Sequence, residues 1–269
     1  MIINVDYHFH PNLPKDDAKA LVKCKRWWEE IQKVGVNCVL VTEHIYKNPQ
    51  RSYEFMAKTK PKGCYCFPGM EYLSKEGIDL IIFSDKKNIF SHKELTPWNL
   101  DYHETMDFVL DKKLQSFVTH PFGLGGTAVF PVLGKHEYFL AANKLKAVEI
   151  TNSTFDNLFA LINHFPFTLV DKKVLKEIKM NDHVPKKYYP KGLKFLAAGS
   201  DSHQFDDLGT HFQIHVQKGQ SIFNAIITNL DGKDVIKKKS LNLRELIVSG
   251  WITYSEYRTK MKYKRKMNK

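Results

Sequence analysis

Short apolar runs alternate with longer amphipathic segments along this 269-residue chain. Seven of the apolar runs are typical of buried strands, and they cover residues 2–8, 36–42, 64–68, 78–83, 115–119, 146–151 and 193–198. Helical periodicity is found between them, at 16–34, 102–113, 135–144 and 155–164. This alternation predicts a parallel α/β sheet, either open or closed into a barrel.

The first helical segment has clear start and stop signals. Ala20 and Ile31 lie on one apolar stripe, Asp16 and Asp17 suit the cap and first turn, and Gly35 suits the stop. We therefore expect this segment to be the first crossover helix.

The pattern changes after residue 202. An alternating strand is predicted in DLGTHFQIHV, then an amphipathic stretch at 221–230 and a helix at 241–257. We interpret residues 1–216 as a barrel domain and 217–257 as closing elements packed on it. Residues 258–269 are predicted to be a basic, disordered tail.

Metal-binding side chains follow five of the predicted strands. The stretches are His8-Phe9-His10, Thr42-Glu43-His44, Gly69-Met70-Glu71, Thr119-His120-Pro121 and Ser200-Asp201-Ser202-His203. His8 and His10 lie two residues apart on one strand, so their side chains point to the same side. The carboxyl ends of parallel strands share one face of a barrel, where such folds keep their chemistry. The pattern therefore favours a closed barrel with one polynuclear metal site.

A lone histidine on an apolar strand is more often a hydrogen-bonded core residue than a ligand. We give that interpretation to His164, His183, His211 and His215, and we expect His136 at the surface. At the end of the sixth strand, Glu149 and Asn152 could either line the site or satisfy loop backbone.

The five motifs, in this order and after these strands, resemble the PHP superfamily (polymerase and histidinol phosphatase) over residues 1–216. The resemblance implies a distorted, TIM-like barrel of seven strands. It also implies two or three divalent ions of zinc, manganese or iron that hydrolyse phosphate esters. The protein would then be a metal-dependent phosphoesterase.

The same resemblance implies roles for individual residues. His8, His10, Glu71 and Asp201 would hold the first ion, Glu71 and His120 the second, and His44 with His203 the third. Glu71, Asp201 and His203 are the residues we expect to be catalytic. Asp16 falls where the family often supplies a further ligand.

Two positions depart from the family pattern. Family members commonly have a histidine just after the fourth strand, whereas this chain offers Asp79 and Asp85 around it. Glu43 stands where aspartate is more common, and its extra methylene could reposition a hydrogen bond to a ligand histidine. Both departures suggest altered metal binding.

The expected ions would lower the pKa of bound water from 15.7 towards about 7. We therefore expect hydrolysis by a metal-bound hydroxide. We expect a phosphomonoesterase acting on a phosphorylated small molecule. Arg51 and Lys86 are candidates for binding the substrate phosphate, with a plain solvent-exposed role open for both. Substrate specificity is expected in loops at 45–62 and 121–136, which carry no recognisable motif.

The basic charge near the C-terminus is compatible with a second function. The formal net charge is +12, and from residue 233 to the end twelve Lys or Arg face three acidic residues. A basic terminal segment attracts nucleic acid, although most charged runs are simply solvated. A nuclease or nucleotide phosphoesterase is therefore an alternative, and a catalytically silent metal-binding domain is another.

Composition and cysteine usage narrow the class of protein. Hydrophobic residues make up 43% of the chain, which is ordinary globular content, and no run of 18 apolar residues occurs. The N-terminus lacks a signal-peptide pattern, and the four cysteines have no framework spacing. We expect a cytoplasmic protein with reduced thiols and no membrane contact. The sequence leaves its oligomeric state open.

Overall fold

The computed structural model describes residues 1–123, 127–157, 184–231, 234–237 and 241–267. The strands in this part are β1 (Ile2–Phe9), β2 (Cys38–Val41), β3 (Tyr65–Leu73), β4 (Asp79–Phe83), β5 (Gln115–Val118), β6 (Ala147–Asn152), β7 (Phe195–Gly199), β8 (His211–His215) and β9 (Val235–Ile236). The helices are α1 (Asp17–Lys33), α2 (Pro49–Thr59), α3 (Tyr102–Asp111), α4 (Val129–Leu133), α5 (Lys135–Leu145), α6 (Ile222–Ile226) and α7 (Leu243–Met267).

All seven predicted strands are present, but the segments predicted as loops are partly helical. Helix α2 lies within 45–62, and α4 lies within 121–136. Asn48 caps α2 with its side chain and Pro49 occupies the first helical turn, so local start signals were present and were not recognised. Of the helix predicted at 155–164, residues 155–157 are helical and 158–164 lie outside the described residues.

The strands form one sheet in the order β7-β6-β5-β4-β3-β2-β1-β8-β9. Pairing is parallel for β1–β2, β2–β3, β5–β6 and β6–β7. Strand β4 runs antiparallel to both of its neighbours, and β8 runs antiparallel to β1. The carboxyl ends of β1, β2, β3, β5, β6 and β7 therefore meet at one face, together with the amino end of β4.

The sheet curls until β7 returns to β1. The amide of Asp201 donates to the carbonyl of His8 at 2.7 Å, and the amide of His10 donates to that of Ser202 at 3.3 Å. Gly199 permits this approach, because a Cβ there would lie 2.4 Å from Cβ of His8. The result is a nearly closed barrel-shaped sheet.

The predicted count of seven strands is not confirmed, because nine strands of the described residues are hydrogen-bonded in the sheet. Strand β8 pairs with the first half of β1, from Ile2 to Val5, and β9 pairs with β8. The second half of β1 faces the segment after β7. One edge of β1 is thus shared between two neighbours, and the sequence pattern contains no signal for that division.

A bulge in β1 separates the core from the metal-binding face. The β1–β2 register changes between Asp6 and Phe9, which inserts an extra residue into β1. At the bulge, Tyr7 packs against aromatic side chains of β5, β7 and β8, with the ring of Phe195 stacked at 6.3 Å. After it, Phe9 packs edge-on against Trp27 of α1. His8 and His10 are consequently left facing the barrel interior.

Helix α1 forms as its sequence predicts. Asp16 is its N-cap and accepts a hydrogen bond from the amide of Lys19. The side chains of Trp27, Trp28 and Ile31 are fully buried on the apolar stripe. Burying each side chain of this size contributes roughly 1.5–3 kcal/mol, so this face fixes the helix against β1 and β2.

Residues 258–267 of the basic segment predicted as a disordered tail are helical, and residues 268–269 lie outside the described residues. Helix α7 continues through Met267, and its side chains reach the face where the strand ends meet. Lys260 is only 7% exposed and Glu256 contacts Lys47, so tertiary contacts hold the segment that charge alone would leave in solvent. Among the described residues, no helix combines the length and apolar character needed to cross a membrane.

Candidate metal centre

Seven predicted ligands converge at the face where the strand ends meet. They are His8 and His10 of β1, His44 after β2, Glu71 of β3, His120 after β5, and Asp201 and His203 after β7. Each is at most 8% exposed. The convergence follows from the parallel strands, which bring residues distant in sequence to one edge.

The first ligand group contains His8, His10 and Asp201. Oδ1 of Asp201 lies 3.1 Å from Nε2 of His10 and 3.5 Å from Nε2 of His8. Two ligands that hold one ion tetrahedrally at about 2.1 Å lie about 3.4 Å apart. The spacing therefore suits a single ion between these side chains.

The second group contains His10, His44 and His203. The Nε2 atoms of His44 and His203 are 3.1 Å apart. The ring of His10 stacks against both, with centroids at 4.3 Å and 4.6 Å. A set of three imidazoles offers only nitrogen ligands, which suits zinc, iron and related transition metals.

The third group contains Glu71, Asp79 and His120. Nε2 of His120 lies 3.2 Å from Oε1 of Glu71 and 3.8 Å from Oδ2 of Asp79. Of the two aspartates that the sequence offers around the fourth strand, Asp79 therefore lies at the site, whereas Asp85 is exposed. The antiparallel direction of β4 explains the choice, since it brings the start of this strand to the site and its end to the far side.

Glu71 lies between the three groups. Its Oε1 is 3.2 Å from His120 and 3.6 Å from His8, and its Oε2 is 3.8 Å from His10 and contacts Nδ1 of His44. A carboxylate with two oxygens directed to different neighbours can bridge two ions. The role of Glu71 as a bridge between ions stays a prediction.

The chemistry of these side chains fits divalent metal ions. The Nε2 atoms of His8 and His10 are buried and have no hydrogen-bond partner among the described residues. Carboxylate oxygens lie 3.1–3.8 Å from them, but none meets the geometry of a hydrogen bond. Leaving buried polar atoms unsatisfied costs free energy, and a cation between them would remove that cost.

Burial and neighbouring charges set the protonation of the cluster. Burial lowers the pKa of His44 to about 4 and also lowers that of His203. In His10, burial is outweighed by the Asp201 carboxylate and the pKa rises to about 9. Burial likewise opposes ionisation of Glu71 and Asp201, but adjacent histidines hold both pKa values below their usual range. Ionised carboxylates and neutral imidazoles are the forms that bind metals, so His44 and His203 are in the binding form at neutral pH, whereas His10 must lose a proton before it binds an ion.

Glu149 and Asn152 line the site, which resolves the alternatives left by the sequence. Oε1 of Glu149 is 3.1 Å from Nδ1 of His8, and its Oε2 accepts from the amide of His120 at 2.6 Å and from Thr119 Oγ1 at 2.9 Å. Asn152 donates to Glu149 and to Oδ2 of Asp201. These contacts orient three of the candidate ligands.

Glu43 orients the opposite side of the cluster. Its Oε1 is 3.7 Å from Nδ1 of His10 and accepts from the amide of His44 at 3.2 Å. Its Oε2 accepts from the amide of Asn12 at 2.7 Å. Burial alone would raise the pKa of Glu43, but His10 and Lys47 lower it to about 2. The longer side chain thus remains an anion that reaches two ligand histidines.

Two ligand positions adopt a backbone conformation unusual for residues other than glycine. The φ angles of His120 and Asp201 are +23° and +50°. Hydrogen bonds hold both residues, through the His120 amide to Glu149 and the Asp201 amide to the carbonyl of His8. Strained residues of this kind concentrate at functional sites, where the surrounding structure compensates for them.

Three predicted site residues are not brought to the cluster. Asp16 is exposed and caps α1, where its carboxylate accepts a hydrogen bond from the amide of Lys19. Arg51 forms an ion pair with Asp17 at 2.8 Å. Lys86 is exposed in the turn after β4, at the end of the strand remote from the site. A contact within one helical turn holds Asp16, and a contact between α2 and α1 holds Arg51. The position of Lys86 follows from the reversed direction of β4.

Sequence reasoning missed Lys260 as a residue that the structure brings to the site. Lys260 of α7 donates to both oxygens of Asp79, at 2.5 Å and 2.7 Å. Burial and the charge of Glu71 raise the pKa of Asp79 to about 6, even though Lys260 and His120 oppose the shift. The only sequence signal for Lys260 was the basic character of the C-terminal segment.

Five other histidines have positions predicted from the sequence. His211 is buried and its ring lies 2.8 Å from the carbonyl of Gly209, as predicted for a core residue. His215 was expected in the core but is exposed, because it lies at the end of β8, where its partner on β1 is the exposed Ile2. His136 is exposed as predicted, and His164 and His183 lie outside the described residues.

Comparison with known proteins bears on the fold alone. No family model matches the chain, and no curated protein does. Among solved structures, the chain is similar to PsfC from Pseudomonas syringae PB-5123. The TM-score is 0.59 at 15% identity, and the alignment covers 95% of this chain and 98% of that chain. At this identity the likeness indicates a shared fold over nearly the whole length.

Proposed function

We propose that this protein is a metal-dependent phosphoesterase of the polymerase and histidinol phosphatase type, and specifically a phosphomonoesterase. The observation that carries the proposal is the position of Glu71 between three buried ligand groups, in contact with four histidines. An array of adjacent cation sites suits the charge that develops on a transferring phosphoryl group. Zinc, manganese or iron is the expected metal, in two or three sites.

When bound, such ions would supply Lewis acidity and lower the pKa of coordinated water. The residues of the chain would hold and orient them. His8, His10 and Asp201 bind from one side and His44 with His203 from the other, while Glu71 connects the groups. Glu149 and Glu43 hold the Nδ1 sides of His8 and His10, which directs the Nε2 atoms of both rings to the centre.

Burial favours a small phosphomonoester over a polymer. The ligand side chains are at most 8% exposed, so the opening to them is narrow. Helix α7 contacts its rim through Glu256 with Lys47 and through the ring of Tyr263, 5.2 Å from that of Tyr46. A terminal phosphate can enter a narrow opening, whereas a phosphodiester within a strand needs room on both sides.

The basic face of α7 supports a second candidate, a nuclease or nucleotide phosphoesterase. Arg258 and Lys262 are exposed on this helix, two residues before and two residues after Lys260. Cations so placed would contact phosphates of a nucleic-acid end and release counterions. If this candidate is correct, oligonucleotide binding should weaken steeply with salt and should weaken further in a variant with Arg258→Gln and Lys262→Gln.

The test combines metal analysis with three substrates. The purified protein is analysed for bound metal, and hydrolysis of p-nitrophenyl phosphate, bis(p-nitrophenyl) phosphate and a single-stranded oligonucleotide is measured at matched zinc or manganese. We expect bound metal with monoester turnover. His10→Ala and Asp201→Ala should each reduce bound metal and abolish turnover, whereas His136→Ala, at an exposed position, should do neither.

The other outcomes distinguish the alternatives. Turnover of the oligonucleotide in preference to the monoester would favour the nuclease. Bound metal with no turnover of any substrate would favour a catalytically silent metal-binding domain. Full activity in a folded His10→Ala or Asp201→Ala variant would remove the site assignment.

A further inference from the structure

The buried contact between Lys260 and Asp79 joins the C-terminal helix to the third ligand group. The ammonium lies 2.5 Å and 2.7 Å from the two carboxylate oxygens, and the side chains of Lys260 and Asp79 are 8% and 6% exposed. Lysine is rarely buried without a compensating partner. A lysine held on both oxygens of a candidate ligand acts directly on what that ligand can bind.

Helix α7 holds Lys260 in this position from both sides. One turn earlier, Glu256 pairs with Lys47 at 2.5 Å, and three residues later the ring of Tyr263 packs against Tyr46. These residues recur at helical spacing, so they share the face of α7 that is directed to the site. The ammonium is thus fixed by the helix and is not a free surface charge.

The third group differs from the other two in this respect. An ion held by Glu71, Asp79 and His120 would need Asp79 Oδ2, which lies 3.8 Å from the ring of His120 and already accepts from Lys260. The ammonium would also lie beside that ion, and two positive charges sharing one carboxylate repel each other. No lysine contact is found at the other two groups among the described side chains.

We propose that Lys260 takes the place of one divalent ion, so that the native chain binds metal in the first two groups and carries a protein cation at the third. The proposal rests on the metal centre proposed above and specifies its composition. The ammonium provides one positive charge beside Glu71 and Asp79 where an ion would provide two. Metal supply and chelation would leave this third charge unaffected.

Zinc stoichiometry tests the proposal. The protein is stripped with a chelator, reconstituted with excess Zn(II), passed through gel filtration and analysed for zinc per chain. We expect Lys260→Met to bind one more zinc ion than the native chain, because Asp79 becomes free to act as a ligand. Lys260→Arg, which keeps the charge, and Lys262→Met, at an exposed position two residues away, should match the native chain.

Asp79→Asn provides an independent test that does not depend on the folding of the Lys260→Met variant. If Lys260 occupies the third group, the amide variant should retain the native zinc count. If Asp79 is a metal ligand in the native chain, the variant should lose one ion. Equal zinc counts in native protein and folded Lys260→Met, or a native chain with all three groups occupied, would overturn the lysine assignment alone. A native chain without bound zinc would overturn both this proposal and the metal centre.

Discussion

The Nδ1 atom of His8 lies 3.1 Å from Oε1 of Glu149, across the barrel from β1 to β6. The other oxygen of Glu149 accepts from the amide of His120. One buried carboxylate therefore orients two candidate ligands on different strands. It also leaves the Nε2 atom of His8 directed towards Glu71 and Asp201, at 3.6 Å and 3.5 Å.

Glu149→Gln should weaken metal binding without removing a ligand. The glutamine amide is neutral, so it holds the His8 ring less firmly and makes its Nε2 atom less basic than the Glu149 carboxylate does. Loss of such an orienting partner typically costs 10–100-fold in metal affinity, and we expect an effect of about that size. Zinc titration against a competing chelator measures it. Glu54→Gln, on the exposed side of α2, is the control and should leave affinity unchanged.

Asp16→Ala should affect stability and not metal content. The carboxylate of Asp16 caps α1 by accepting from the amide of Lys19 at 2.8 Å. Removing an N-cap of this type costs about 1 kcal/mol of folding free energy. Urea unfolding with parallel zinc analysis separates the roles. A variant that loses zinc while keeping its unfolding midpoint would instead support the ligand role that the family resemblance implied.

Gly199→Ala should damage both the barrel and the site. A Cβ at this position would lie 2.4 Å from Cβ and 2.6 Å from N of His8, so β7 must move away from β1. Overpacking of this kind costs about 1–3 kcal/mol. Denaturant unfolding should show the loss, and displacement of His8 should lower zinc affinity in the same variant. Native stability and affinity would contradict the closure of β7 on β1.

Asp6→Asn should alter the pH dependence of stability in the metal-free protein. Burial raises the pKa of Asp6 from 3.8 to about 7, although hydrogen bonds from Ser200 oppose the shift. The folded state thus binds the Asp6 proton more tightly than the unfolded state. Its stabilising effect is complete below pH 3.8 and is lost as the pH rises through 7.

Asp6→Asn is neutral at every pH and so does not lose this stabilising effect as the pH rises. Its stability relative to the native protein should therefore increase between pH 5 and pH 8, by on the order of 2 kcal/mol. Urea unfolding at both pH values provides the comparison. Parallel pH profiles for the two proteins would exclude ionisation of Asp6 in this range.

Asp16 shows how local and tertiary inference can disagree within one residue. Its position before an amphipathic segment predicted the N-cap that the structure contains, while the family resemblance implied a metal ligand. The cap depends only on neighbours within one helical turn. Metal ligation depends on the conformation of the loop after β1, and in this conformation the exposed carboxylate of Asp16 lies away from the cluster.

The sequence by itself predicted most of the strands and the seven candidate ligands that converge, because each candidate ligand comes at the end of an apolar run and parallel strands bring their carboxyl ends together. Tertiary structure decided the rest. The reversal of β4 brings Asp79 to the site, and the bulge in β1 turns His8 and His10 to the interior. The contact of Lys260 with Asp79 spans 181 residues. Strand direction and long-range packing depend on the whole fold, so no local pattern contains them.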